Sequence, residues 1–399
     1  MKVLVVTWGW RTHFNHLVPH VWALLAAGHD VRVACPADLT PVVTGAGLPA
    51  VPVGARLDFT AVAGRQVARI TDEPDDPTDP AAPVDSVDTR PPSVTVGGVA
   101  HTYAATMLPD LVAFGRWYRP DLVLHEQNNL GAAVAAAALD VPSVRVLWGP
   151  EFPLRMDRDV VLGPLAAPYG VAPSEVPLTG TLTLDPCPPP MQVPLAGPHR
   201  PVRFVPYNGV AAVPGWLREP AGRPRVALSQ GTLMPLFGSG FDLRAGLDAF
   251  AALDVEVVLT RDREPDEALP SNVRWVSGLA LHLLLSTCAA VVHHGGAGST
   301  MTAVACGVPQ LVLPRVGDQH VNAERVAVTG AGTALPVERA RPDAIRDAVA
   351  SLIHDAHWRT AATELRRRND ERPAPAAVVE HLTRLATTRD ARQLEISHD

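Results

Sequence analysis

The run His293-His294-Gly295-Gly296-Ala297-Gly298-Ser299-Thr300 carries the densest chemistry in the chain. It follows the apolar residues 290–292 and opens a segment of helical composition over 299–306. A strand, a glycine-rich turn and a helix start together make an anion site. Glycines let the backbone approach a ligand, and the first-turn N–H groups point outwards along the helix dipole. A diphosphate suits such a site. The hydroxyls of Ser299 and Thr300 can cap the helix or bond phosphate oxygens, and His294 can donate a charge-assisted hydrogen bond to a leaving phosphate. The run contains neither Gly-x-Gly-x-x-Gly nor a Gly-Lys-Ser/Thr step, so a dinucleotide or Walker-type site is a poor fit. A tight strand-to-helix turn without a ligand is the plainer alternative.

Other groupings add to it. In Asp318-Gln319 a carboxylate can accept from two hydroxyls while an amide both donates and accepts. Asp318 can also cap a helix. Ser229-Gln230-Gly231-Thr232 closes another apolar run, and Gly231 with the hydroxyl of Thr232 suits a phosphate. Near the N-terminus, Thr7-Trp8-Gly9-Trp10-Arg11-Thr12-His13-Phe14-Asn15-His16 follows the first apolar run. Imidazole titrates close to neutral pH, so His13 and His16 are both candidate general bases, or else helix caps. Glu126 ends the run Pro120-Asp121-Leu122-Val123-Leu124-His125-Glu126. A carboxylate there can fix the tautomer of a histidine and stabilise its protonated form, or it can be an exposed polar strand end.

The elements that must position these residues follow from patterning. The N-terminal half reads as strand 3–6, helix 17–27 closed by Gly28, strand 31–34, helix 108–117, strand 122–124, helix 131–139 and strand 144–147. The second half shows strands over 226–229, 255–259, 291–293 and 310–313. This alternation predicts an α/β fold of two doubly wound, Rossmann-like domains facing across a cleft, with ligands beyond the carboxyl ends of the strands. The expected organisation is an N-terminal domain over 1–205, a C-terminal domain over 206–375, and a C-terminal helix over 376–399 packing back on the first domain. An irregular stretch at 196–224 serves as linker. Residues 71–92, rich in proline and acidic side chains, read as a surface loop or as a flap over an acceptor pocket.

Composition bounds the function. A chain of 399 residues suggests two domains, and 47% apolar residues allow sizeable cores. A net charge of -7 with no basic run weighs against a nucleic-acid partner. No apolar run approaches the ~20 residues of a membrane span, and the first apolar run is too short for a signal-peptide core. Cys35, Cys187, Cys288 and Cys306 include no Cys-x-x-Cys pair, so reduced thiols in a cytoplasm are the simplest reading. No cluster with metal-ligand spacing is visible, and neither metal nor cofactor is expected.

The stretch 275–325 resembles the donor-binding region of family-1 glycosyltransferases of the GT-B fold, most closely the actinomycete enzymes that glycosylate macrolides, anthracyclines and enediynes. The matching pieces are Val273-Arg274-Trp275-Val276, the glycine-rich run, Gly307-Val308-Pro309-Gln310, Leu313-Pro314 and Asp318-Gln319-His320-Val321-Asn322-Ala323. The resemblance implies that Trp275 and Val276 flank or bond the base of a nucleoside diphosphate sugar. Gly296, Gly298 and Ser299 would hold its phosphates with His294, and Asp318 and Gln319 would bond the sugar. Gly231-Thr232 matches a step that the family places on the same donor. The family leaves fourteen residues between its base and the Gly-His that closes the first helix, here Phe14 to Ala27 before Gly28-His29, which selects His13; a His three residues before Pro19 is a second family cue and favours His16. An acidic residue near Glu126 orients the base in many relatives. The implied reaction moves a thymidine diphosphate deoxysugar, as co-substrate, onto a small hydrophobic polyketide-like aglycone with inversion. A homodimer and an activator protein resembling a cytochrome P450, which some relatives need, are candidate partners. Two rivals stay open: a nucleotide-sugar epimerase or hydrolase on this fold, which would turn over donor alone, and a non-catalytic accessory protein that binds donor or aglycone.

Overall fold

The computed structural model describes residues 1–57, 97–152, 156–231, 243–265, 268–315 and 317–389. Its chain divides into two compact units. The first comprises Met1–Pro186, Pro194–Arg203 and Pro373–Asp399, and the second Cys187–Val193 and Phe204–Arg372.

In the first unit the chain runs β1 (Lys2–Val6), α1 (Arg11–Asn15), α2 (Val18–Ala26), β2 (Asp30–Cys35), α3 (Thr40–Gly45), β3 (Ala50–Pro52), α4 (Gly97–Tyr118), β4 (Leu122–Glu126), α5 (Leu130–Ala138), β5 (Ser143–Val146), α6 (Arg158–Ala166), β6 (Leu182–Asp185) and β7 (His199–Pro201). All described strands pair in parallel, in the order β3-β2-β1-β4-β5-β6-β7. Strands covered on both faces are apolar throughout, which is why Val3, Leu4, Val5 and Val6 form a run of fully buried residues. Gly28 follows α2 at φ +82, the left-handed conformation that lets a chain leave a helix sharply.

The second unit runs β8 (Arg225–Ser229), α7 (Leu243–Ala251), β9 (Glu256–Thr260), β10 (Val273–Val276), α8 (Leu281–Leu285), β11 (Ala290–His293), α9 (Ala297–Cys306), β12 (Gln310–Val312), α10 (Asp318–Val328), β13 (Gly332–Ala334), α11 (Pro342–His354) and α12 (Ala356–Asp370). Its sheet is also parallel, in the order β10-β9-β8-β11-β12-β13. Val226, Leu228, Val257 and Val292 pack on one face against Phe250 of α7 and Ile345 and Val349 of α11. Ala227, Val258 and Val291 pack on the other against Leu284, Leu285 and Ala303 of α8 and α9. Cys187 and Met191 join a further core with Met301, Val326 and Leu365, and the Arg325 guanidinium donates to the carbonyls of Pro190, Met191 and Gln192. A final helix, α13 (Pro375–Thr388), packs on α2 of the first unit, with a Thr383–His29 hydrogen bond.

Both sheets reverse strand order beside their first strand, between β1 and β4 and between β8 and β11. Such a switch point opens a crevice beyond the carboxyl ends of the two strands. The predicted elements recur with ends shifted by a residue or two. The exceptions are the helix expected at 108–117, which spans Gly97–Tyr118 and continues through Pro109, and the C-terminal helix expected at 376–399, which spans Pro375–Thr388. The 71–92 stretch lies outside the described residues.

Candidate functional site

In the first unit the switch point gathers His13 and Glu126. Parallel pairing sets Val6 beside His125, so the chain leaving β1 and the last residue of β4 emerge together. His13 sits on α1, in the turn that follows, and its Nδ1 lies 2.7 Å from Glu126 Oε2. As a carboxylate, Glu126 only accepts, so Nδ1 carries a proton, and in the neutral ring Nε2 keeps its lone pair. Glu126 is fully buried. Its other oxygen accepts the Trp8 N–H at 2.6 Å, and the Asn129 amide lies 3.5 Å away. Asn129 also caps α5 through the Ala132 N–H, which sets the positive end of that helix beside the carboxylate.

The His13 ring is 23% exposed. It stacks on the indole of Trp8 (4.9 Å, 13°) and meets Trp148 edge-on at 4.8 Å. His16 faces inward and is only 9% exposed. Burial, with the charges of His13 and His20, pushes it down to about 3, so it is neutral and hidden at working pH.

The second unit repeats the layout. Ser229 pairs with His293, bringing the end of β8 to the end of β11. His294 lies between the backbones of Gly231 and Gly296. A Cβ on either glycine would run into its ring, and Gly231 holds φ +70. Burial lowers His294 to about 4, opposed by the Ser229 backbone. A neutral ring is therefore the resting state, and the charge of a nearby diphosphate would favour its protonation. Gly296 caps α9 without any side-chain cap, so the first-turn N–H groups at Ala297 and Gly298 have no partner within the helix. Neither expected hydroxyl caps. Thr300 is fully buried and turns its hydroxyl back to the Gly296 carbonyl, which removes it from any phosphate, while Ser299 stays partly accessible.

Asp318 is the first residue of α10; Gly317 is the cap, which corrects the capping alternative for Asp318. Its carboxylate accepts from Asn322 at 3.3 Å. The buried Gln319 accepts the Arg315 N–H at 3.0 Å. Trp275 and Val276 end β10, two strands from the switch, with the Trp275 N–H donated to the Arg261 carbonyl. Thr232 lies outside the described residues. Among those residues no three His, Cys, Asp or Glu come together as metal ligands, and no helix is long and apolar enough to cross a membrane.

Some positions carry more than sequence reasoning assigned them. The buried His293 accepts the Gly295 N–H at Nδ1 and donates from Nε2 to Gln310, and Asn322 donates to the Gly295 carbonyl at 2.7 Å. These three side chains fix the glycine turn from beneath. Trp8 and Trp148 flank the imidazole. The available signal was an aromatic pair around Gly9 at the strand end, and an Asn one helical turn past Asp318.

Comparison with known proteins agrees with this layout. Residues 22–231 match the family described as erythromycin biosynthesis protein CIII-like, N-terminal domain, and residues 244–385 match its C-terminal domain. The 10-deoxymethynolide desosaminyltransferase of Streptomyces venezuelae is 38% identical, covering 97% of each chain. The TDP-daunosamine transferase DnrS of Streptomyces peucetius is 39% identical, covering 98% of each. Among solved structures, glycosyltransferase VinC in complex with dTDP superposes with a TM-score of 0.78 at 32% identity, covering 97% of this chain and all of the other. The two parallel-sheet domains are those of the GT-B fold.

Proposed function

The chain belongs to the erythromycin biosynthesis protein CIII-like family and is a glycosyltransferase, and on that premise we propose that it moves a deoxysugar, with inversion, from a thymidine diphosphate donor to a hydroxyl of a macrolide- or anthracycline-like aglycone. The observation that supports this most is the His13–Glu126 pair at 2.7 Å, beyond the carboxyl ends of β1 and β4. Its imidazole has one nitrogen held by a carboxylate and the other left as a base.

In this reading His13 Nε2 takes the proton of the acceptor hydroxyl as its oxygen attacks the anomeric carbon. The bond from that carbon to the diphosphate breaks on the opposite side, and its electron pair leaves with the nucleotide. The products are the glycoside, thymidine diphosphate and one proton, later released from His13. Glu126 stabilises the imidazolium formed on the way. Growing charge on the leaving diphosphate meets the first-turn N–H groups of α9, the Ser299 hydroxyl and His294, close to the Gly231 and Gly296 backbones. Asp318 and Gln319 bond sugar hydroxyls. Trp275 offers its ring face to the base, since its N–H is taken, with Val276 beside it.

The test is a panel of thymidine diphosphate deoxysugars against macrolide and anthracycline aglycones, read by mass spectrometry, with the anomeric configuration of any product assigned by proton NMR. A glycoside of inverted configuration is expected. Donor breakdown at the same rate without aglycone would point to a hydrolase, and donor binding without product from any pairing would point to an accessory protein.

A further inference from the structure

We propose that Trp8 is a positioning residue for the base, holding the His13 ring by its face and the Glu126 carboxylate by its backbone. The inference rests on His13 being the base, and it adds a residue to that machinery.

Two contacts of different kind converge. The Trp8 N–H reaches Glu126 Oε1 at 2.6 Å, and the Trp8 indole lies flat on the imidazole, 4.9 Å between centres at 13°. Trp8 is itself immobilised. It is 8% exposed, and Tyr103, 1% exposed, lies nearly parallel to it at 6.2 Å and 8°. Tyr103 also closes over Gly9, where an added Cβ would fall 2.7 Å from its hydroxyl. Tyr103, Trp8 and His13 thus form a column of three nearly parallel rings, with Trp148 standing edge-on to the last (79°).

Each direction of imidazole motion meets a different constraint. Glu126 opposes a half-turn about Cβ–Cγ, because that flip would replace Nδ1 by a carbon and lose the hydrogen bond. Trp8 fixes tilt of the plane. Since Trp8 also holds the second carboxylate oxygen, a shift of the Trp8 backbone would move both partners of the pair at once. The indole face is electron-rich, so it favours the imidazolium that forms when His13 takes a proton. A base fixed this way is already aimed before substrate arrives, which is the geometric part of catalysis.

The experiment compares Trp8→Phe and Trp8→Leu with the unchanged protein, using histidine labelled with nitrogen-15. The tautomer and hydrogen bond of His13 are read by NMR, kcat by product formation, and affinity for thymidine diphosphate by calorimetry. Trp8→Leu is expected to mix the His13 tautomers, weaken its Nδ1–H signal and lower kcat by roughly ten- to a hundredfold, with nucleotide affinity unchanged. Trp8→Phe, which keeps a ring face, should restore the spectrum and most of kcat. An unaltered His13 spectrum and kcat in Trp8→Leu would overturn the proposal. So would equal losses in both variants accompanied by weakened nucleotide binding, which marks general misfolding. Retained activity in His13→Ala would instead remove the base assignment, a result the tautomer spectrum does not depend on.

Discussion

Glu126 is a buried carboxylate, and its neighbours define its role. A charge taken out of water is costly unless hydrogen bonds replace the solvent. Here the Trp8 N–H, His13 Nδ1 and the Asn129 amide do so. His13→Ala is expected to lower kcat by about 10²–10⁴-fold, the range of general base catalysis, measured under saturating substrates. Glu126→Gln keeps the shape but presents an amide that can donate to Nδ1, leaving the proton on Nε2, where it blocks the base. Its loss should fall on kcat, with acceptor KM little altered. The double variant should be scarcely slower than His13→Ala alone, because the two side chains act as one unit. Losses that multiply would give Glu126 an independent part, such as an acceptor contact.

At the level of elements, the turn between β11 and α9 separates glycines by purpose. Gly231 and Gly296 leave room for the His294 ring, whereas Gly298 has open space beside it and lies in the first turn of α9. Gly298→Ala should therefore raise stability by up to about 1 kcal/mol, the usual helix preference for alanine over glycine. If a diphosphate approaches that backbone closely, the same change weakens nucleotide binding. Thermal unfolding without ligand, beside calorimetry with thymidine diphosphate, separates the two effects. Unchanged affinity would place the phosphates away from Gly298. Most of this turn was legible in sequence because a glycine cluster after an apolar run has few alternatives. That Glu126 lies within reach of His13, 113 positions away in the chain, was not, since it depends on β4 pairing with β1. Strands such as His199-Arg200-Pro201 were invisible, having no apolar alternation; they pair only because β6 offers an edge. The His16 burial is likewise a packing result, set by Trp148 and the sheet rather than by its neighbours in sequence.

At the scale of the whole molecule, four histidines among the described residues lie outside the proposed chemistry and are buried and neutral: burial pushes His16 and His293 down to about 3, and His20 and His125 to about 4. An unfolded chain would protonate each near 6.5. Between about pH 6.5 and 4 the unfolded state therefore binds more protons, and stability falls as pH falls through that window. Each such histidine contributes up to about 2 kcal/mol of this loss by pH 5. Urea midpoints should drop steeply from pH 7 to pH 5 and stay nearly flat from pH 7 to pH 8. A flat profile on the acid side would mean that these rings take up protons in the folded chain as readily as in the unfolded one.

The path of the chain between the two units bears on recombination. It passes from one unit to the other four times, after Pro186, Val193, Arg203 and Arg372. Hybrids that exchange the first and second halves of related enzymes at one junction near residue 204 would therefore inherit two misplaced parts. The segment Cys187–Val193 would come from the wrong parent, although its Cys187 and Met191 fill a core of the second unit and its carbonyls receive Arg325. The helix Pro375–Thr388 would leave with the second half, although it packs on α2 of the first unit. A graft that carries 187–193 and 204–372 together, and leaves 373–389 with the parent of the first unit, keeps both of these packings intact, so functional hybrids should follow these seams rather than the midpoint of the gene.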